Sequence, residues 1–539
     1  MGKDPRIRRC LFYPSLPEPH MTTPPPTLEA PPESTPPPVH SKKWRMPPGL
    51  KHSLPFYAFK PWVKLGSPIL LFEHLLKTYG NIAHYKFMGT PIVFINDPDY
   101  IREILINQAG SFVKERTVRR MKILIGEGLI TSDDPIHKRQ RRIAAPAFHR
   151  QRIAAYGDQI VACAATQRET WQPGEQIDIA AASMQLSLEI VARTLFDTAV
   201  TDDIRSINDE VNTIMGLYNF IVAFPKIESF LHLPIPRITK FRRAKARLDA
   251  IVDRLIREHR EAAARGEPDK GDLLSMLLSS RDEEDTQHAG MSNEQVRDEV
   301  LTIFLAGYET VANGLTWTWY LLSQNPAVEA KLHAELDAVL APSSNPSSRP
   351  EAASLAAKVE TPASPLHHKS GCTGTSDMGS QTITQHRLPT LADYPALRYT
   401  EQVFAESMRL YPPAWAMGRM STKPVHLGPY RIPPGAHFFF SQYIMGRDSK
   451  YFPDPLRFDP DRFSPENKAT RPRFTYFPFG GGNRQCIGES FAWMEGVFSI
   501  ATIAQRWRMT YLGAEPPEVQ AKITLRPKDP LMMQLTPRS

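Results

Sequence analysis

Ten consecutive residues constrain this chain more than any others: Phe479-Gly480-Gly481-Gly482-Asn483-Arg484-Gln485-Cys486-Ile487-Gly488. Three glycines in a row permit backbone conformations closed to other residues and let the main chain approach a flat ligand closely. Arg484 sets a fixed positive charge two residues before the sulfur. The apolar run after Cys486 predicts a helix whose free amides and positive dipole end lie beside the thiol. Both features are expected to favour thiolate over thiol. The other cysteines, Cys10, Cys163 and Cys372, are scattered and form no CxxC pair. Neither a disulfide framework nor a zinc knuckle fits, and a reducing compartment is the simplest setting.

The chain around this loop is long and organised. Its 539 residues, 41% hydrophobic, can bury a large core. Residues 1–44 are dense in proline and read as a disordered arm, within which Met21 is a candidate true start. A second low-complexity stretch, about 341–386, is rich in Ser, Pro, Ala and Thr and reads as a surface insertion between two helices. Ile82–Phe87 and Ile92–Ile95, separated by Met88-Gly89-Thr90-Pro91, predict a hairpin. Asp97-Pro98 predicts a helix start, and the pattern to about residue 340 is mostly helical. Short β-like segments follow from Val425, with a last long helix around Ile487–Trp507. No apolar run is long enough to span a bilayer, and no signal-peptide pattern opens the chain. The net charge of +8 suits nucleic acid, an anionic membrane surface or an acidic protein partner. No nucleic-acid motif accompanies it.

Upstream of the cysteine loop lie further motifs. Ser292-Asn293-Glu294-Gln295 is a capping box, and the helix it starts can run to Asn325-Pro326. That helix carries Ala306-Gly307-Tyr308-Glu309-Thr310. Glu406 and Arg409 stand at i, i+3 spacing on one helix face, as His137 and Arg141 do at i, i+4.

The loop matches, position by position, the pattern Phe-x-x-Gly-x-Arg-x-Cys-x-Gly, at Phe479, Gly482, Arg484, Cys486 and Gly488. In this the chain resembles the cytochrome P450 family, over roughly residues 45–539 apart from the insertion. The resemblance implies a mainly α fold with small β-sheets (α+β) in one large haem domain. It implies haem b (iron protoporphyrin IX) with the Cys486 thiolate as axial ligand. Ala306 and Gly307 would let the long helix pass close to the haem, Thr310 would offer a hydroxyl donor toward reduced dioxygen, and Glu309 would relay protons. His137, Arg141, Arg419 and Arg484 would meet the haem carboxylates. Glu406, Arg409 and Arg462, the last in Asp459-Pro460-Asp461-Arg462-Phe463, would form a buried ion network supporting the cysteine loop.

The reaction so implied is monooxygenation of a lipophilic compound (a fatty acid, terpenoid or similar) with O2. No flavin- or nicotinamide-binding motif is present, so the electrons would come from a separate ferredoxin- or flavodoxin-type donor. An acidic donor would meet positive charge from Lys138, Arg139 and Arg142. Candidate pocket walls are Phe112–Leu124, Met215–Phe224, Phe304–Thr310 and Ala414–Met417. A histidine at position 137 resembles bacterial members and points to a soluble, cytoplasmic protein, with peripheral membrane contact compatible. A peroxide-driven peroxygenase or isomerase, or a non-enzymatic haem redox sensor, is the alternative. The Glu309-Thr310 pair argues against both.

Overall fold

The computed structural model describes residues 43–63, 68–196, 232–267, 272–282, 290–341 and 387–538, with isolated positions between 206 and 214. Nearly all of the Pro-rich arm, nearly all of the 341–386 insertion, and the pocket wall expected at Met215–Phe224 lie outside these residues. Arg45 and Arg431 exchange two main-chain hydrogen bonds of 2.9 Å, and the Arg431 guanidinium lies 4.5 Å from the Trp44 ring centroid.

The architecture is mainly helical, with small sheets at the margins. At its centre runs the helix Asn293–Gln324. Ser292 accepts the Gln295 amide at 3.2 Å and Gln295 Oε1 accepts the Ser292 amide at 3.0 Å, so the predicted capping box forms. Asn325-Pro326 ends the helix, since proline cannot donate to the preceding turn. The helix is apolar around most of its circumference, the pattern of a helix enclosed on all sides. Trp317, Phe304 and Tyr308 are fully buried on it. Around it pack the helices Ile179–Phe196, Pro236–Ala264 and Arg398–Leu410.

The largest sheet has six strands in the order Gly49–Ser53, Ile82–Phe87, Thr90–Ile95, His437–Phe440, Met417–Ser421 and Phe112–Lys114. The predicted hairpin is present, with its turn tightened to Met88-Gly89. Both turn residues take positive φ, +48° and +81°, as a two-residue hairpin turn requires. The second strand therefore starts at Thr90, two residues before the expected Ile92.

The last helix spans Glu489–Ala504 and not Ile487–Trp507. From Trp507 the burial alternates residue by residue, and Trp507–Tyr511 pairs antiparallel with Met532–Pro537. Near its middle this helix packs closely on Arg150–Thr170. A Cβ added at Gly157 would lie 3.2 Å from the Phe498 ring.

Glu495 on the last helix is fully buried and neither carboxylate oxygen is hydrogen-bonded. Burial pushes its pKa from 4.5 up to about 8, with Ser187 alongside opposing the shift. Between those values the folded chain keeps a proton that the unfolded chain has lost, so stability falls as pH rises through this window. Glu495→Gln should flatten that fall by up to about 5 kcal/mol, at roughly 1.4 kcal/mol per pH unit between 4.5 and about 8. Denaturant midpoints measured across the window check it, and an unchanged pH slope in the variant would refute it. Among the described residues no helix is long and apolar enough to cross a membrane.

Candidate active site

The cysteine loop folds back on itself. Phe479 C=O accepts the Cys486 amide at 3.0 Å, and Phe477 C=O accepts the Gly480 amide at 2.9 Å. Gly482 takes φ +75°, and a Cβ there would fall 2.2 Å from the Leu105 carbonyl oxygen. That position tolerates glycine alone. Cys486 has an exposed surface although its sulfur sits deep among protein atoms. The two facts agree if the sulfur opens onto an internal space.

Opposing influences meet at the thiol. Burial pushes the Cys486 pKa up, opposed by the Gly488 amide and the Arg141 charge. Arg484 is turned away, toward the Asp133 carboxylate at 3.4 Å and the Ser132 carbonyl at 3.2 Å. A coordinated metal ion would deprotonate it outright.

The central helix carries the facing wall. From Asp298 to Leu322 every residue is buried except Ala306, Gly307, Glu309 and Thr310, which are partly open. Ile487, next to Cys486, packs on the apolar cluster that includes Phe304, Leu305 and Tyr308. Thr310 Oγ1 donates to Ala306 C=O at 2.7 Å, as Thr316 and Thr318 do to their own i−4 carbonyls. Glu309 Oε1 accepts from Thr524 Oγ1 at 2.5 Å. Gly307 also makes room for a neighbouring helix. A Cβ on it would meet Val191 Cγ2 at 3.1 Å, so its small size admits the neighbouring helix.

A cluster of cations lies between sheet and loop. Lys114 and Arg419 are direct cross-strand partners, an arrangement that is destabilising for like charges on their own. Burial, Arg484 and Arg419 push the Lys114 pKa down to about 7. Burial and Arg484 push Arg419 down to about 10. Burial, then Lys114, Arg484 and Arg141, push His137 down to about 3. Asp133 is the nearby carboxylate that opposes all three shifts. Such a surplus of buried positive charge fits an anionic group set among these residues. Arg141 is directed to the loop, its Nη1 donating to Gln485 C=O at 2.6 Å.

Behind the loop, Glu406 is fully buried and pairs bidentately with Arg409 at 2.6 and 2.7 Å. Arg462 Nε approaches the same carboxylate at 3.4 Å. The Asp459 amide donates to it at 2.9 Å.

The model of the family described as Cytochrome P450 matches residues 47–353 and 380–535. The chain belongs to the cytochrome P450 family. It is 34% identical over 444 residues to cyclooctatin synthase of Streptomyces melanosporofaciens, covering 82% of this chain and 85% of that one. It is 30% identical to pentalenene oxygenase of Streptomyces avermitilis, covering 83% and 88%. Among solved structures, the cytochrome P450DA heme domain superposes with a TM-score of 0.74 at 21% identity, covering 92% and 98%. The fold is thus the P450 fold, and the protein is a P450 monooxygenase. It is an iron- and haem-dependent oxidoreductase that uses O2, an organic substrate and a redox partner.

Against this P450 architecture, one expected surface is corrected. Arg139 and Arg142 both bind Asp282, a buried carboxylate, at 3.3 and 2.7 Å. Of the three residues expected to form a positive docking face, Lys138 is exposed, while Arg139 and Arg142 are partly buried against Asp282. Two residues in contact with the candidate site groups were not singled out in the sequence, Lys114 standing there only within the candidate wall Phe112–Leu124. Lys114 is a single lysine in a three-residue strand. Thr524 lies 215 positions from the glutamate it binds. In both cases only strand pairing or the tertiary fold provides the signal.

Proposed function

We propose that this P450 hydroxylates a lipophilic terpenoid, converting R–H, O2, two electrons and two protons to R–OH and water. The carrying observation is the run of partly open positions Ala306, Gly307, Glu309 and Thr310 on a central helix that is otherwise buried from Asp298 to Leu322. Cys486 would be the axial thiolate of haem b, with Phe479, Gly482 and Gly488 shaping its loop. When bound, the haem supplies the dioxygen chemistry, aided by electron donation from the thiolate. Lys114, His137, Arg419 and Arg484 would hold its carboxylates, and Arg141 would steady the loop through Gln485. Glu309 and Thr310 would move protons into the interior. Of the candidate pocket walls, Phe304–Thr310 and Ala414–Met417 are largely apolar, and Phe112–Leu124 alternates apolar with charged residues. Relatives named for terpenoid products support that substrate class over fatty acids.

The experiment is a Soret titration of the purified ferric protein with pentalenene, cyclooctat-9-en-7-ol and dodecanoic acid. Displacement of iron-bound water by either terpenoid, followed by formation of its hydroxylated product, is the expected result. A shift and product with the fatty acid alone would overturn the substrate class. The electron donor would be a separate ferredoxin or flavodoxin.

Lys114→Met should weaken haem retention by roughly tenfold or more, since one hydrogen bond to a charged group is worth about 1.5–3 kcal/mol. Haem transfer to apomyoglobin measures it. A variant that loses haem no faster than wild type would remove Lys114 from the site.

A further inference from the structure

We propose that Thr524 is a positioning residue for proton delivery, holding the Glu309 carboxylate at a turn that also packs on the apolar cluster of the central helix. The inference rests on the proposed role of Glu309 and adds what controls it.

Thr524 is nearly fully buried. Its hydroxyl donates to Glu309 Oε1 at 2.5 Å and accepts from Asn313 Nδ2 at 3.3 Å. Asn313 Nδ2 also donates to the Glu309 main-chain carbonyl at 2.9 Å. The glutamate is therefore gripped at both its side chain and its backbone by one Asn–Thr pair. A short hydrogen bond from a hydroxyl to a carboxylate is among the stronger neutral–charged contacts.

The turn that presents Thr524 is itself fixed. It joins the antiparallel strands Val519–Ala521 and Leu525–Pro527. Leu525 donates its amide to Pro413 C=O at 2.9 Å. Its carbonyl accepts from Trp317 Nε1 at 3.1 Å, and Lys522 C=O accepts from Trp415 Nε1 at 2.8 Å. Trp317 stands one helical turn beyond Asn313, so the turn and the central helix are joined at two successive levels. Such anchoring fixes the Thr524 hydroxyl relative to the helix far better than a free loop would.

Residue 523 completes the device. Ile523 packs on the apolar cluster that also includes Phe304 and Tyr308. One three-residue turn thus reaches that cluster with Ile523 and the acid with Thr524. In the state seen here both distal groups are occupied, Thr310 by Ala306 C=O and Glu309 by Thr524. To carry a proton inward, the Glu309 carboxylate must leave Thr524. The bond sets the position from which it leaves and to which it returns, and pressure on Ile523 bears on that same turn.

The test reconstitutes the full chain with a surrogate ferredoxin and its reductase, using pentalenene as the probe. Reducing equivalents consumed and hydrogen peroxide released are followed, so no product assignment is needed. Thr524→Val, which keeps shape and loses the donor, should raise peroxide per electron pair about threefold to tenfold, a fraction of a full acid–base contribution. It should also change the solvent isotope effect on turnover, which a purely structural tie would leave alone. Thr524→Ser should stay within about twofold of wild type, since it restores the donor. Thr524→Ala, equally without a donor but without bulk, must match Thr524→Val. Divergence between the two would mean packing and overturn the proposal. Wild-type peroxide yield in Thr524→Val, with a raised yield in Glu309→Gln, would overturn Thr524 and leave Glu309 standing. An unchanged yield in Glu309→Gln would remove the role of Glu309 itself, and this proposal with it.

Discussion

Cys486→Ala is expected to abolish monooxygenation and the thiolate-type absorption of the reduced carbon monoxide complex, while leaving the fold intact. The argument is local. The loop is closed by the Cys486 amide on Phe479 C=O and by Gly480 on Phe477 C=O, neither of which uses the sulfur. Removing the side chain therefore costs little packing but deletes the one exposed cysteine among the described residues. Cys163 is buried between helices, its pKa pushed up to about 12 chiefly by burial, and cannot substitute. Cys486→Ser tests the same point with an oxygen ligand in place of sulfur. Far-UV circular dichroism and turnover together decide it. Retained monooxygenase activity in the alanine variant would remove Cys486 from the mechanism.

The second large effect falls on stability. Glu406→Ala is expected to cost about 3–5 kcal/mol, the range for breaking a buried ion pair from one side. Arg409 would be left fully buried with only the carbonyls of Gly446, Pro455 and Arg457 to accept from it. Glu406→Gln keeps an acceptor for the Asp459 amide and should lose less. Arg462→Ala should lose least, about 1 kcal/mol or under, because Arg462 touches the carboxylate from the partly exposed edge. Urea denaturation of the three variants gives the order. Equal losses for Glu406→Ala and Arg462→Ala would contradict a network centred on the Glu406–Arg409 pair.

What could be read from the sequence was whatever chemistry is local in the chain. The Gly-rich loop, the capping box at Ser292 and the Glu406–Arg409 spacing each declare themselves within a few residues, and the fold class follows from them. Side-chain direction is not local. Arg484 stands two residues from Cys486, yet its guanidinium points to Asp133, so nearness in sequence overstated its effect on the thiol. Arg139 and Arg142 look like surface charge until Asp282, some 140 positions away, is brought beneath them. Lys114 gains meaning only opposite Arg419, when two short strands pair. Gly307 has a small side for a neighbouring helix that no pattern announces. The end of the last helix was misjudged because an apolar run continues into a strand, and only the alternation from Trp507 marks the change.

The most direct measurement of the central claim is the absorption spectrum of the dithionite-reduced, carbon-monoxide-bound wild-type protein. A thiolate-type Soret band, absent in Cys486→Ala, is the predicted result. An imidazole-type band in the freshly purified native protein, unchanged by loss of Cys486, would contradict the assignment of Cys486 as the axial ligand.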